Sequence, residues 1–280
     1  MLKILAIVFV STLFLILSEK NSHSSSVQCE YLHNTWMRIN RDFDMKGWSS
    51  DFSCPSEEST VAEMFYWVHR LDYDGANLNK HGDSRLYPVM YYDYIRENVR
   101  TITRGAHRPE ASAYVLEAGS EEVFISRSFF EEYTSKGVPL GIVGASVLVH
   151  EARHAGHPPG GSPIFHVDCV HWNSDSGKGM CDGDFFLIRN LSREQFNSYL
   201  SNPKVGAYSL TLRFYLDAML VYKSLNRTPQ VQNTMNILSN SIISTVNQNF
   251  RGVENQISAD EKRYIENVAG REFRLATTVR

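Results

Sequence analysis

Residues 4–17 form an apolar run interrupted only by Ser11 and Thr12, and the polar stretch SEKNSHSSS follows it at once. From residue 60 the pattern turns helical. TVAEMFYWVHRL sets apolar residues three and four apart, with Ser59 as the expected cap. DYDGANLNKHGDS reads as loop, and YPVMYYDYIRENVRTI resumes a helical period. Residues 113–126 alternate instead: AYVLE and EEVFIS flank AGS, the pattern of a β-hairpin. RSFFEEYTSKG predicts a short helix ending at Gly137. Residues 139–154, opened by Pro139, are apolar on nearly every side at their start, which predicts a buried helix. SREQFNSYL predicts a short helix with a Ser192/Gln195 capping box. Residues 205–225, 229–250 and 259–269 carry the helical period again. This order predicts an α+β chain dominated by helix, with a small antiparallel sheet beside the helix of residues 139–154.

The N-terminal run changes the picture of where the chain works. Lys3 followed by residues 4–17 fits a secretory signal and is short for a membrane span. Ser22 and Ser24 offer small residues for a cut after Ser24. No Ala-x-Ala precedes it, so an uncleaved N-terminal anchor stands as the alternative. The chain divides into a signal peptide at 1–24, an irregular disulfide-tied segment at 25–56 and one domain at 57–280. Localisation is expected to be secreted or periplasmic, with membrane contact only if the N-terminal segment is retained.

Four cysteines in an exported chain read as two disulfides. Neighbour pairing, Cys29–Cys54 and Cys169–Cys181, is the simplest of three arrangements. The second would close a loop of about a dozen residues and stabilise by roughly 3 kcal/mol. The rival is that Cys169 and Cys181 hold metal as thiolates. A net charge of -3 argues against a nucleic-acid partner, which favours a basic face.

The chemistry concentrates in VLVHEARHAGHPPGG, residues 147–161. His150 and His154 are four apart, so a helix stacks them on one face, where two imidazoles reach one Zn²⁺. Glu151 is rotated away by about 100°, yet its side chain is long enough to take a proton from a water at the metal. The bland alternative is a helix C-terminus decorated with basic residues that suit its dipole. That alternative leaves Glu151, an unfavourable charge at such an end, without a reason.

HEARH, the apolar helix before it and the strand EVFIS upstream resemble the zincin metallopeptidases. The matching region is about residues 113–157, under a third of the chain. The resemblance implies a zinc-dependent hydrolase acting on peptide or protein substrates, with EVFIS edging the cleft and able to pair with an extended substrate. HEARH followed by His-x-x-Cys, Cys-Asp and Gly-Ala-Tyr also resembles a group of exported bacterial proteins, which implies no particular substrate.

The third ligand is not in the motif. The metzincin pattern wants Gly three residues and His six residues after His154, where this chain has His157 and Gly160. His157 stands about 10.5 Å along the axis from His150 if the helix continues, too far for one ion. The gluzincin pattern wants a later Glu, for which Glu194 is the candidate, although an acid also suits the first turn of its helix. His166, Asp168, His171, Asp182 and Asp184 remain. His166 is favoured because it stands in HVDC, three residues before Cys169, so a Cys169–Cys181 disulfide would hold it near a fixed point. Asp182 is the alternative ligand, or a carboxylate that orients an imidazole. Arg153 faces away from the histidine pair and is expected in a structural salt bridge. Tyr208, in GAYS, is a candidate donor to a developing oxyanion, or else a packed tyrosine. The expectation is an exported zinc metallopeptidase with zinc on His150, His154 and His166, and with Glu151 and Tyr208 acting on substrate. Two other readings stay open: a non-catalytic zinc-binding protein on the same scaffold, and an amidase of cell-wall peptides.

Overall fold

A computed structural model of the chain describes residues 29–80, 91–108, 111–136, 140–156, 164, 166–168, 180–182, 185, 187, 202, 205–250 and 256–272. The expected signal segment, the helix expected after Ser192, and His157, Cys169, His171, Asp184 and Glu194 lie outside the described residues.

The segment expected to be irregular contains helix α1, residues 29–42. Leu32, Trp36, Ile39 and Phe43 stand four, three and four apart, and all are buried, so an apolar stripe drives this helix onto the core. A Cys29–Cys54 disulfide ties its start to the residues just before helix α2, Glu57–Lys80. The cap of α2 is Ser56 rather than the expected Ser59. The Oγ of Ser56 accepts from the amide of Ser59, and the Oγ of Ser59 accepts from the amide of Ser56. Two of the orphan amides of the first turn are satisfied this way. α2 also runs on through part of the stretch read as loop.

Four strands form one sheet: β1 (Asp44–Lys46), β2 (Thr101–Arg104), β3 (Ala113–Tyr114) and β4 (Glu122–Ile125), in the order β1-β2-β4-β3. The sheet is mixed, where an antiparallel one was expected. β1 pairs with β2, and β2 with β4, in parallel; the hairpin partners β3 and β4 are antiparallel. β3 is therefore an edge. Helix α3, Tyr91–Asn98, leads into β2, and its first amides, Tyr91 and Tyr92, donate to the buried carboxyl of Asp72 on α2.

The sheet serves helix α5, Leu140–Ala155, which follows helix α4, Arg127–Lys136. α5 packs against α2, α3, β3, β4 and helix α6, Ala207–Ser224. A Cβ on Gly141 would lie 1.9 Å from Nε1 of Trp67, so the close approach of α2 and α5 requires glycine there. Helices α7, Pro229–Asn249, and α8, Ala259–Ala269, close over α6. A short antiparallel ribbon, β5 (Val167–Asp168) and β6 (Met180–Cys181), lies near the end of α7. The architecture is α+β and mainly helical, and no helix among the described residues is long and apolar enough to cross a membrane.

Candidate metal centre

α5 ends against the hairpin. Its last carbonyls, those of His154 and Ala155, accept from the amides of Gly119 and Glu121 in the β3–β4 turn. Those carbonyls have no partner inside the helix, and the turn supplies one. Gly119 and Glu121 both have positive φ, 83° and 56°. The turn thus fixes the sheet edge beside the last two turns of α5, where His150, Glu151 and His154 sit.

His166 joins them. Its Nε2 lies 3.0 Å from Nε2 of His150 and 3.0 Å from Nε2 of His154. Two nitrogens on one tetrahedral zinc are separated by about 3.3 Å. Among the described residues these three side chains are the group with metal-ligand spacing, all their donor atoms within 4.8 Å of one another.

The far sides of the rings decide where the protons are. Nδ1 of His154 is 2.6 Å from the carbonyl of Ile164, which can only accept. His154 is therefore protonated at Nδ1 and bare at Nε2. Nδ1 of His150 is 3.1 Å from Oγ1 of Thr211, and that hydroxyl donates to the carbonyl of Ala207 at 2.9 Å. Its one proton is used, so it accepts from His150, and His150 too is bare at Nε2. Two lone pairs then face a third nitrogen that can offer at most one proton. Burial lowers the pKa of all three imidazoles, that of His166 to about 3, and the neighbouring rings add to the effect at His150 and His166. Neutral rings with converging lone pairs have too few hydrogens for mutual bonding and the right donors for a cation. The donor set fits zinc: three nitrogens leave a fourth position open.

Glu151 is 7% exposed and lines the same cleft. Burial pushes its carboxyl up to about 8, a shift that a dication beside it would oppose. Tyr208 of α6 lines the cleft too, its ring 4.5 Å from His166 in a stacked arrangement and 4.7 Å from His150. Burial, with Asp182 and Glu151 adding to it, pushes the Tyr208 phenol up to about 12, so it keeps its proton at neutral pH.

The cleft edge is one strand over from the expected one. EVFIS does not edge the cleft. β4 is paired on both sides, and the cleft wall is β3 with its flanks, Ala111 to Leu116. Arg153 is buried and clamps the entry to α6, donating from Nε to the carbonyl of Val205 and from Nη2 to that of Asn202. Asp182 stands behind His166, not among the ligand atoms, and both its oxygens accept amides of α6. Cys181 is disulfide-bonded, and Cys169, its expected partner, lies outside the described residues. Thr211 and the carbonyl of Ile164, which support His150 and His154, are not legible in the sequence. One is a hydroxyl inside an apolar helix and the other is main chain, and neither carries a pattern that marks it.

The cleft encloses about 990 Å³ and continues along α5 past the histidines to Val147, Ser146 and Val143. Tyr215 of α6 and Thr245 of α7 form its opposite wall there. No family model, curated protein or solved structure matches this chain.

Proposed function

We propose that the chain is an exported zinc-dependent metallohydrolase that cleaves peptide bonds in peptide or protein substrates. The observation that carries this reading is the convergence of three proton-poor imidazole nitrogens beside a buried glutamate in an open cleft. Zinc bound there supplies Lewis acidity, polarising a carbonyl and making a water acidic near neutral pH. His150, His154 and His166 hold it. Glu151 takes the proton from the attacking water and returns it to the leaving amine. The protonated phenol of Tyr208 donates to the oxygen on which negative charge develops.

The cleft also favours a class of substrate. β3 presents an edge with no strand on its outer side among the described residues, and an extended peptide can add to such an edge through its main chain. Beyond the histidines, Val143, Val147, Tyr215 and Thr245 make an uncharged wall, which suits an uncharged side chain next to the scissile bond. The resemblance of HEARH to the zincin metallopeptidases points the same way, and the Cys29–Cys54 disulfide accords with export.

The test begins with metal content. Purified protein should hold one zinc per chain and cleave a broad peptide library. Glu151→Gln should keep the zinc and lose activity by roughly 10²- to 10⁴-fold. Protein without stoichiometric zinc refutes the metal centre. Zinc retained with no hydrolysis of any peptide refutes the peptidase reading and leaves the zinc-binding protein and the cell-wall amidase.

A further inference from the structure

His166 belongs to no helix, so something must hold its ring against two histidines that α5 fixes. The β5–β6 ribbon does part of this. Val167 pairs with Cys181 in antiparallel register, and Asp168 with Met180, so the next pair along the ladder is His166 opposite Asp182. Asp182 is 3% exposed. Its Oδ1 accepts from the amide of Tyr208 at 3.2 Å, and its Oδ2 from the amide of Ser209 at 2.7 Å. Its own amide donates to the carbonyl of Asn249 at the end of α7. Gly206, the N-cap of α6, makes no side-chain cap bond of its own. A Cβ there would lie 2.2 Å from Cγ of Asp182. The helix start is thus shaped around a carboxylate that comes from elsewhere in the chain.

That carboxylate also faces the third ligand. Nδ1 of His166 is buried with no hydrogen-bond partner, and Oδ1 of Asp182 is 3.8 Å away. A proton on Nδ1 points towards the carboxylate and leaves Nε2 bare for a metal. A proton on Nε2 instead turns the lone pair of Nδ1 towards negative oxygen. Resting on the metal-centre reading above, we infer that Asp182 is the positioning residue of the site: it selects the Nδ1–H form of His166 and at the same time anchors α6, which carries Thr211 and Tyr208. One side chain then sets the ring of His166 directly and that of His150 through Thr211.

A double-mutant cycle on zinc affinity, read by competition with a chelator, tests this. Asp182→Asn should bind zinc 10- to 100-fold more weakly than wild type, and in a His166→Ala background the loss should be clearly smaller, because only the route through α6 and Thr211 to His150 remains. Melting of the metal-free proteins serves as the control. Asn offers one oxygen to two amides, so its loss of stability should be equal in both backgrounds. Unchanged affinity in Asp182→Asn, or an equal loss with and without His166, overturns the inference. If the variants do not fold, the zinc-loaded wild type decides. A slowly exchanging, downfield Nδ1 proton on His166 in its NMR spectrum supports Asp182 as acceptor, and zinc bound through Nδ1 overturns it. Wild-type protein that holds no zinc refutes the metal centre itself, which is a different result.

Discussion

Replacing Thr211 with valine keeps the side-chain shape and deletes one oxygen. That oxygen accepts the Nδ1 proton of His150 at 3.1 Å. In the metal-free variant His150 can move its proton to Nε2 and share it with His166, 3.0 Å away. With zinc bound this escape closes, because Nε2 must be bare and Nδ1 then carries a buried proton with no acceptor. Such an orphan costs about 1–3 kcal/mol. The penalty falls on the metal-bound state, so zinc affinity should drop by roughly 5- to 160-fold, while the metal-free melting temperature changes little. Chelator competition at fixed pH measures the first and thermal unfolding with excess chelator the second. Thr211→Ser restores the oxygen and should stay near wild type. A Thr211→Val protein that folds and binds zinc as tightly as wild type refutes the proton assignment on which the ligand set rests.

Gly206→Ala pushes a Cβ to 2.2 Å from Cγ of Asp182, so either the carboxylate or the start of α6 must move. The two cap bonds weaken together, and urea unfolding should show a loss of about 2–4 kcal/mol; a neutral result contradicts the packing described. His69 makes a prediction far from the site. Its ring stacks on Tyr92 at 4.0 Å, its Nε2 is buried without a partner, and burial lowers its pKa to about 4. Between pH 6.5 and about 4 the unfolded chain binds a proton that the native ring refuses, so this contribution is complete above pH 6.5 and lost as pH falls. His69→Phe keeps the stack and cannot titrate. Its stability relative to wild type should rise by about 2 kcal/mol from pH 7 to pH 4, the full shift being discounted for the half-buried ring. A parallel pH profile for the two proteins sinks the assignment.

What the sequence pattern conveys depends on how far apart the partners are. α5, α6, α7 and α8 lie within a residue or two of their expected bounds, since each has an apolar period that is local to itself. The β3–β4 hairpin is equally local, its turn marked by AGS. β1 has no period to read, and Thr101 and Ile102 of β2, expected in the helical stretch that ends at residue 102, are strand instead; their pairings, Asp44 with Thr101 and Thr101 with Glu122, join distant segments. α1 is a different case: Leu32, Trp36, Ile39 and Phe43 display a stripe that the flanking polar residues obscured. At the site, the four-residue spacing of His150 and His154 is visible because the helix itself aligns them. His166 enters through its nearness to Cys169. Thr211, 61 residues from the histidine it supports, enters only through the fold.

The two amide bonds from the β3–β4 turn to the end of α5 have a consequence for how such a protein can diversify. The distance from the cleft wall to the three histidines is set by main-chain donors at Gly119 and Glu121, whatever side chains the partly exposed residues 114–118 carry. Residues that would touch a substrate can therefore be exchanged along β3 without disturbing the imidazoles. The histidine cluster and the cleft edge are separable parts of the fold, and a library confined to residues 114–118 would vary the edge beside an unaltered cluster.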